Sequence, residues 1–315
     1  MSPPIHYSIL SSSKLASSDY QTMPWKNGQG TTRQFIISPS TCTSVNDDFT
    51  FRLSSAQMKT QFHQQQPLEE QQTTTNSQKV PFSSFVGYSR VLIYTQCNLS
   101  QHPQQKTTHP TQMYIIQQHE EQDSSRKELI QRDYLPLMVP YYFSGSAKTE
   151  CELIPSTIDE GDQEHLIIDY NVMTKDERTK CEKVVCRSVH DFDSSEEINL
   201  LQLLDLLPVT TTSSTTTEQD EEEQQIDTSN NQRKWHLFLY VPDDLDALVK
   251  VNIPKSSNHD DKSSIHILNR DDTLQLEGVG DYSQVMSQVK VTFEPFSNEQ
   301  EKGGSHVIGV LIIEN

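Results

Sequence analysis

The sequence predicts an all-β protein, a β-sandwich or barrel that carries long polar loop insertions and one short helix. Three observations lead to this prediction. Short runs rich in β-branched and aromatic residues recur along the chain, with turn residues between them. Polar blocks that have neither helical nor strand periodicity interrupt those runs. A single leucine-rich segment has helical spacing and is followed by a proline.

The clearest strand signal lies in residues 49–58. Phe49, Phe51 and Leu53 share one face there and mainly polar side chains occupy the other, an alternation typical of a half-buried strand. Similar runs occur at 34–38, 90–95, 113–117, 149–154, 165–170, 183–188, 235–241, 248–253, 264–268, 273–276, 288–293 and 306–313. Many short strands separated by turns favour a sandwich or barrel.

The predicted helix covers residues 195–207. Its leucines recur at helical spacing, Glu196 and Glu197 in the first turn suit the helix dipole, and Pro208 ends the segment. We expect this helix to cover a sheet; a heptad interface with another helix is the alternative.

Five polar blocks lie between the strands, at 61–79, 100–112, 117–128, 209–234 and 255–264. They are dominated by polar and charged residues, which cannot bury enough apolar surface to offset the entropy lost on ordering. We therefore predict loop insertions at 61–79 and 100–128, and a disordered acidic, Thr-rich stretch at 209–234.

Composition and charge exclude several classes of function. The chain has 315 residues, of which 33% are hydrophobic, and its formal net charge is -19. An acidic chain offers no general basic surface to nucleic acid or to an anionic membrane, so we expect neither as a partner. No apolar stretch of about 18 residues is present, and the first residues lack the layout of a signal peptide. We expect a soluble, cytoplasmic protein.

The cysteines and histidines give no defined metal-site pattern. The five cysteines form no C-x-x-C pair, so reduced thiols are expected, although Cys181 and Cys186 could supply two metal ligands. His102, His109 and His119 could form a His-rich tract, but a solvated loop is the simpler interpretation. We expect no metal and no cofactor.

The N-terminal part of the chain differs in charge from the rest. Residues 1–60 carry five basic and three acidic side chains, a net charge of +2, which leaves -21 for the remaining residues. Lys26, Asn27, Thr32 and Arg33 surround two glycines there, a cluster that could bind an anion. A surface turn with solvated charges is the alternative.

Two arginines and one polar strand end are further candidates. Arg52 lies within a predicted strand, so it is either exposed and inert or, if that face lines a barrel, paired with a carboxylate or a ligand. Arg90 follows a compact aromatic turn whose rings are expected to pack. Asp169 and Asn171 could face a barrel interior or form a strand-ending turn. G-x-S-x-G and H-E-x-x-H motifs are absent from the sequence, and no catalytic residues are predicted.

Five ordered blocks together resemble the HutD/Ves family of cupin-like proteins: MPWKNGQGTTRQF, FRLSSAQM, PFSSFVGYSR, YYFSGSA and DYNVMT. The resemblance covers residues 23–174 and, more weakly, the remainder. It implies an RmlC-like jelly-roll bicupin that binds a small carboxylated metabolite, similar to formylglutamate or urocanate. It also implies a regulatory or accessory role in histidine utilisation or amino-acid metabolism.

The resemblance also implies a ligand site. The positions matching the family's motifs that we assign to ligand binding are Lys26, Asn27, Thr32, Arg33, Arg52, Ser54, Ser84, Arg90 and Asn171. Four positions depart from the family pattern. Gln29 replaces a glycine, Gln34 replaces an acidic residue that could pair with an arginine, Val86 replaces a proline, and Ser146 stands where an aspartate is expected.

The resulting organisation is an N-terminal cupin-like barrel at 1–175, a connector at 176–234 that includes the helix, and C-terminal strands at 235–315 that complete the bicupin. Metal-dependent cupins carry H-x-H, which this chain lacks. We therefore expect binding of a small anionic metabolite rather than catalysis. The alternatives are a metal-dependent isomerase or dioxygenase and an interaction protein acting through its Gln/Thr-rich segments. The sequence leaves the oligomeric state open.

Overall fold

The computed structural model describes residues 6–10, 20–25, 28–44, 46–61, 77–97, 112–119, 129–154, 164–192, 196–206, 233–242, 247–254, 264–269, 271–295 and 306–315. These residues form two compact units. The first unit is Ser11–Cys181, and the second combines Met1–Leu10 with Glu182–Asn315. Strand β1 (His6–Leu10) belongs to the second unit.

The first unit contains ten strands among its described residues: β2 (Gln21–Pro24), β3 (Gly30–Ser38), β4 (Phe51–Gln61), β5 (Gln78–Pro81), β6 (Tyr88–Cys97), β7 (Gln112–His119), β8 (Leu129–Leu135), β9 (Pro140–Ser144), β10 (Lys148–Ile154) and β11 (Glu164–Lys175). They form a six-stranded sheet, β2-β3-β4-β11-β6-β9, and a four-stranded sheet, β5-β10-β7-β8. The chain from β4 to β11 interleaves the two sheets in the double Greek-key order of a jelly roll. The pairings within both sheets are antiparallel.

The second unit repeats this order. Its further elements are β12 (Thr179–Ser188), a 3-10 turn (Val189–Asp191), β13 (Ile198–Asn199), α1 (Leu200–Leu203), β14 (Lys234–Tyr240), β15 (Ala247–Ile253), β16 (Ser264–Leu268), β17 (Thr273–Val279), α2 (Tyr282–Gln288), β18 (Lys290–Pro295) and β19 (His306–Glu314). The sheets are β1-β17-β14-β19-β12 and β13-β18-β15-β16. The strands from β12 to β19 therefore follow the same jelly-roll order as those from β4 to β11, and the predicted all-β bicupin fold is confirmed.

The predicted helix at 195–207 is too long. The structure has strand β13 at Ile198–Asn199 and one helical turn at Leu200–Leu203. Asn199 ends the strand and caps the helix, because its side chain accepts a hydrogen bond from the Gln202 amide while the Gln202 side chain accepts one from the Asn199 amide. Asp205 then adopts a φ of 54°, which stops the helix.

The unit boundaries differ from the predicted domain limits. Strand β12 pairs within the sheet of the second unit and residues 196–206 pack there, so the described part of the predicted connector belongs to a jelly roll. The predicted insertion at 100–128 is not one continuous loop, because β7 lies inside it and buries Met113 and Ile115. Residues 209–232 of the predicted disordered stretch lie outside the described residues. Among the helices of the described ranges, none has the length and hydrophobicity needed to span a bilayer.

Strand β4 is buried on both faces rather than half-buried. Phe51 and Leu53 are 1% and 0% exposed on one face, and Arg52 and Ser54 are 4% and 2% exposed on the other. This burial excludes the solvent-facing interpretation of Arg52.

Candidate functional site

The interior of the first jelly roll combines an apolar half with a polar half. Met58, Leu92 and Ile167 of the larger sheet pack in one core cluster with Ile115 and Leu153 of the smaller sheet. Because strand side chains alternate between faces, every second residue from these positions also points inward. The inward set therefore includes a group of polar residues: Arg52, Ser54, Arg90, Asp169 and Asn171.

Strand register arranges these polar residues in rows. Met173 of β11 lies opposite Arg52 on one side and Arg90 on the other. Asn171 lies opposite Ser54 in the next inward row, and Asp169 lies in the row after that. Successive inward rows are about 7 Å apart along a strand. Two cations thus lie at one level of the barrel, and two side chains with acceptor oxygens follow at the next two levels.

Arg52 is a buried cation whose partner is neutral. Its Nε donates to the Gln34 side-chain oxygen over 2.9 Å. Among the described residues no carboxylate forms an ion pair with it. Burial lowers the pKa of Arg52 to about 10, which expresses the cost of keeping this charge away from water. Gln34, considered in the sequence only as a lost acidic partner, is therefore part of the site.

Arg90 is held by three aromatic rings and one carbonyl. Its guanidinium carbon lies 5.0 Å from the Phe143 ring centroid, 5.1 Å from that of Phe82 and 5.8 Å from that of Phe85. Nη1 donates to the Ser83 carbonyl over 3.2 Å, and Nε has no hydrogen-bond partner among the described residues. Burial lowers the pKa of Arg90 to about 10, a shift that the Asp169 carboxylate opposes and the Arg52 charge reinforces. The cage fixes the guanidinium in place, and its Nε remains without a hydrogen-bond partner among the described residues.

Asp169 and Asn171 supply acceptors with no described donor. Asp169 is fully buried, and neither carboxylate oxygen makes a hydrogen bond within the described structure. Burial raises its pKa to about 7, although the Arg90 charge and the nearby Ala56 amide, which lies outside hydrogen-bonding geometry, partly offset this rise. The Asn171 side-chain oxygen also has no hydrogen-bond partner among the described residues. These three oxygens are the buried acceptors that the polar half of the interior presents.

Three other predicted residues have different positions or roles. Arg33 lies opposite Ser55, on the outer face of the sheet, where its guanidinium lies 5.6 Å and 5.3 Å from the ring centroids of Tyr20 and Phe35. Thr32 faces inward but its hydroxyl accepts a 2.8 Å hydrogen bond from Trp25 Nε1. The Ser84 hydroxyl donates to the Gly145 carbonyl over 3.3 Å at the surface, so it fixes a turn.

The predicted glycine turn connects β2 to β3. Gly28 has a φ of 69°, which favours glycine, and a Cβ on Gly30 would lie 2.4 Å from the Gln57 carbonyl oxygen. Lys26 and Asn27 lie outside the described residues. The structure therefore brings together four predicted residues, Arg52, Ser54, Arg90 and Asn171, and adds Gln34 and Asp169.

Asp169 was already considered a lumen-facing candidate, and the alternating pattern could have found Gln34 as well. Asp169 precedes Asn171 by two residues, and Gln34 follows Thr32 by two, so each shares a face with a residue already considered. Within the described ranges no group of three or more His, Cys, Asp or Glu side chains could hold a metal ion.

The second jelly roll has an apolar interior. Trp235, Leu237 and Leu311 belong to its core cluster, on strands that correspond in order to β6 and β11. Gly309 leaves space for Leu204, the residue that caps the C-terminal end of α1, whose Cδ2 lies 2.3 Å from where a Cβ on Gly309 would be. The same fold is thus filled by apolar side chains in one unit and lined partly by polar ones in the other.

Comparison with known proteins gives a family match for part of the chain. The HutD family model matches residues 17–63, which include Gln34 and Arg52. No curated protein matches the sequence.

Solved structures provide more distant similarities. The structure of HutD from Pseudomonas fluorescens SBW25 is 16% identical over 98% of this chain and 100% of that one, with a TM-score of 0.44. The 7S globulin of Momordica charantia is 8% identical over 99% and 84% of the two chains, with a TM-score of 0.43. The vicilin of Solanum melongena is 9% identical over 94% and 82%, with a TM-score of 0.40. The family match at residues 17–63 agrees with the resemblance seen in the first two of the ordered sequence blocks, which lie within that range.

Proposed function

We propose that the first jelly roll binds a small carboxylated metabolite through Arg52 and Arg90. The observation that carries this proposal is the buried Arg52 guanidinium, whose partner among the described residues is the neutral Gln34 amide. An uncompensated buried cation costs several kcal/mol, and a bound carboxylate would remove that cost while using the planar donor fork of arginine. The aromatic cage of Arg90 supports the same function, because it prearranges a second guanidinium.

The contrast between the two jelly rolls supports a role in binding. An apolar interior suffices for this fold, since the second unit has one. Replacing buried charges by well-packed apolar residues is often neutral or stabilising, so buried arginines are poor choices for stability alone. Ligand binding accounts for the buried arginines, which the stability of the fold does not require.

The ligand we propose is an acid of the formylglutamate or urocanate type, and the role is regulatory or accessory in histidine or amino-acid metabolism. Both parts of this proposal derive from the HutD resemblance. The site residues inside the barrel are Arg52, Ser54, Arg90 and Asn171, with Gln34 orienting Arg52.

Isothermal titration calorimetry of the full chain with formylglutamate, urocanate and glutarate tests the proposal. We expect saturable binding of at least one acid, and an affinity on the order of tenfold or more lower in Arg52→Gln, because a charge-assisted hydrogen bond is lost. Arg33→Gln is the matched control, since it removes the same charge from the outer face. A thermal melt of each variant verifies folding. Binding of none of the acids, or equal affinity in Arg52→Gln, would overturn the proposal.

A further inference from the structure

In the first jelly roll, strands β8 and β9 bring the edges of the two sheets together. Among the described strands, β8 ends the smaller sheet, β9 ends the larger one, and four residues, 136–139, connect them. The Tyr141 hydroxyl of β9 donates to the Asp133 carboxylate of β8 over 2.5 Å. Gln131 donates to the same carboxylate oxygen over 2.7 Å. A hydrogen bond between side chains therefore bridges the two sheet edges.

The inward-facing side chains of β8 change from exposed to buried along the strand. Gln131, Asp133 and Leu135 share one face, because strand side chains alternate, and Leu135 belongs to the core cluster of the barrel. Gln131 is exposed, Asp133 is half-buried and Leu135 is 1% exposed. An inward face that reaches solvent at one end lines an opening in the barrel wall, within the part of the chain that the structure describes.

Two aromatic rings of β9 lead from this opening to the arginines. The Tyr141 ring centroid lies 5.9 Å from that of Phe143, and the Phe143 centroid lies 5.0 Å from the Arg90 guanidinium carbon. Tyr141 lies opposite Leu92, one inward row away from the pair formed by Phe143 and Arg90. The hydroxyl that is bonded to Asp133 therefore lies between the opening and the cationic part of the interior.

We propose that the acid enters the first jelly roll between β8 and β9, and that the Tyr141–Asp133 hydrogen bond is the latch that keeps this entrance closed. The inference rests on the proposed function for the identity of the ligand, but the latch limits the access of any small molecule to the interior. Burial and the Asp133 carboxylate raise the pKa of the Tyr141 hydroxyl, so the phenol keeps its proton and still donates at mildly alkaline pH. Rotation of the Tyr141 ring, which breaks this hydrogen bond, opens the path.

A latch that forms in both the free and the bound protein changes rates without changing affinity, because a larger open fraction speeds entry and exit equally. Tyr141→Phe removes the donor and keeps the ring, so the association and dissociation rate constants should each rise about tenfold while Kd stays within about threefold. Stopped-flow tryptophan fluorescence measures both constants with whichever of formylglutamate, urocanate and glutarate binds. Tyr134→Phe is the matched control, because it removes the same atom from the outer face of β8, where Tyr134 is 52% exposed.

A second measurement tests the latch without a ligand. Cys151 is 0% exposed and faces the same interior, in one row with Ile115 and Asp133. Its modification by methyl methanethiosulfonate at pH 9, followed on the Cys151 peptide by mass spectrometry, should be about tenfold faster in Tyr141→Phe than in the native chain or in Tyr134→Phe. Asp133→Asn keeps a weaker acceptor and should give an intermediate rate. Urea denaturation gives the unfolded fraction of each variant, for which the rates are corrected.

The outcomes separate this inference from the proposed function. Modification of Cys151 that is equally fast in Tyr141→Phe and Tyr134→Phe overturns the latch, whether or not an acid binds. For an acid that binds, unchanged rate constants in Tyr141→Phe also overturn it. A tenfold loss of affinity with an unchanged association rate does the same, because the hydroxyl would then be a ligand contact. If no acid binds but Cys151 reacts faster in Tyr141→Phe, the proposed function fails while the entrance and its latch stand.

Discussion

The Nε of Arg52 donates to the side-chain oxygen of Gln34 over 2.9 Å, inside a barrel where both residues are almost fully buried. The amide orients the guanidinium without neutralising it. An acidic residue at the same position would form an internal ion pair, so residue 34 controls whether the charge of Arg52 is available to an anion.

Gln34→Glu should therefore weaken ligand binding and increase the stability of the folded protein. The new carboxylate pairs with Arg52 and competes with any bound acid, so the affinity for the acid should fall at least tenfold. The free energy of unfolding should increase by about 1 kcal/mol, which raises the melting temperature. Titration calorimetry and thermal melts measure the two effects. Gln57→Glu, on the opposite face of β4, is the control for added charge. Unchanged affinity in Gln34→Glu would contradict this assignment of residue 34.

Arg33 and Arg52 lie on opposite faces of one sheet, and the sequence pattern alone does not predict this difference. Alternation within β4 predicts correctly that Arg52 faces away from Phe51 and Leu53. It does not relate the faces of two strands to each other, because that depends on register, and here Arg33 lies opposite Ser55. The cationic cluster expected around both arginines is therefore divided between two faces of one sheet.

The fold was more predictable than the site for a physical reason. Alternating apolar runs and the five family blocks suffice to predict an all-β bicupin, because strand formation depends on local pattern. The short helix was overestimated because Asn199 ends a strand with a capping box, a geometry that leucine spacing does not reveal. The sequence pattern predicted that Asp169 could face the interior. That its carboxylate makes no hydrogen bond among the described residues depends on how β4, β11 and β6 pair, which the pattern does not specify.

Asp169 should reduce stability at neutral and alkaline pH. Its pKa is raised from 3.8 to about 7 by burial, so the folded protein binds its proton more tightly than the unfolded chain does. Stability from this group is complete below pH 3.8 and is lost as the pH rises towards 7. Asp169→Asn cannot ionise, so its free energy of unfolding relative to the native chain should increase across that window and level off above it.

Urea denaturation between pH 4 and pH 9 measures this difference. Each pKa unit corresponds to about 1.4 kcal/mol, so the gain should reach a few kcal/mol. The neighbouring ionisable groups are Arg90 and, on the facing sheet, Cys151, a thiol that stays neutral in this range because burial and the Asp169 charge raise its pKa. Asp176→Asn, at an exposed position, controls for general charge effects. A difference that is independent of pH would show that Asp169 does not titrate in this window.

The aromatic rings around Arg90 should stabilise its positive charge. Phe143 has the nearest ring centroid, 5.0 Å from the guanidinium carbon. Phe143→Leu should cost about 1–3 kcal/mol, since it removes both packing and a cation–π contact. A double-mutant cycle with Arg90→Met isolates the cation–π contribution, and we expect a coupling energy of about 1 kcal/mol. Additive effects would show that the ring only fills space.

Gly309 should be intolerant of a side chain because the second jelly roll is already full. A Cβ at this position would lie 2.3 Å from Leu204 Cδ2 and 3.3 Å from Val185 Cγ2. Gly309→Ala should therefore destabilise the protein by about 1–3 kcal/mol, as overpacking does in a close-packed core.

Truncating the obstructing leucine provides the decisive comparison. Leu204→Ala alone should cost about 2–5 kcal/mol through the cavity it creates, but its cost should be smaller when Gly309→Ala is present, because the new methyl group enters the space that is vacated. Chemical denaturation of the four proteins in this cycle measures the non-additivity. Additive costs would contradict this prediction. They would mean that Leu204 moves away from Gly309 to accept the methyl group, so the interior of the second jelly roll would not be fully packed at this position.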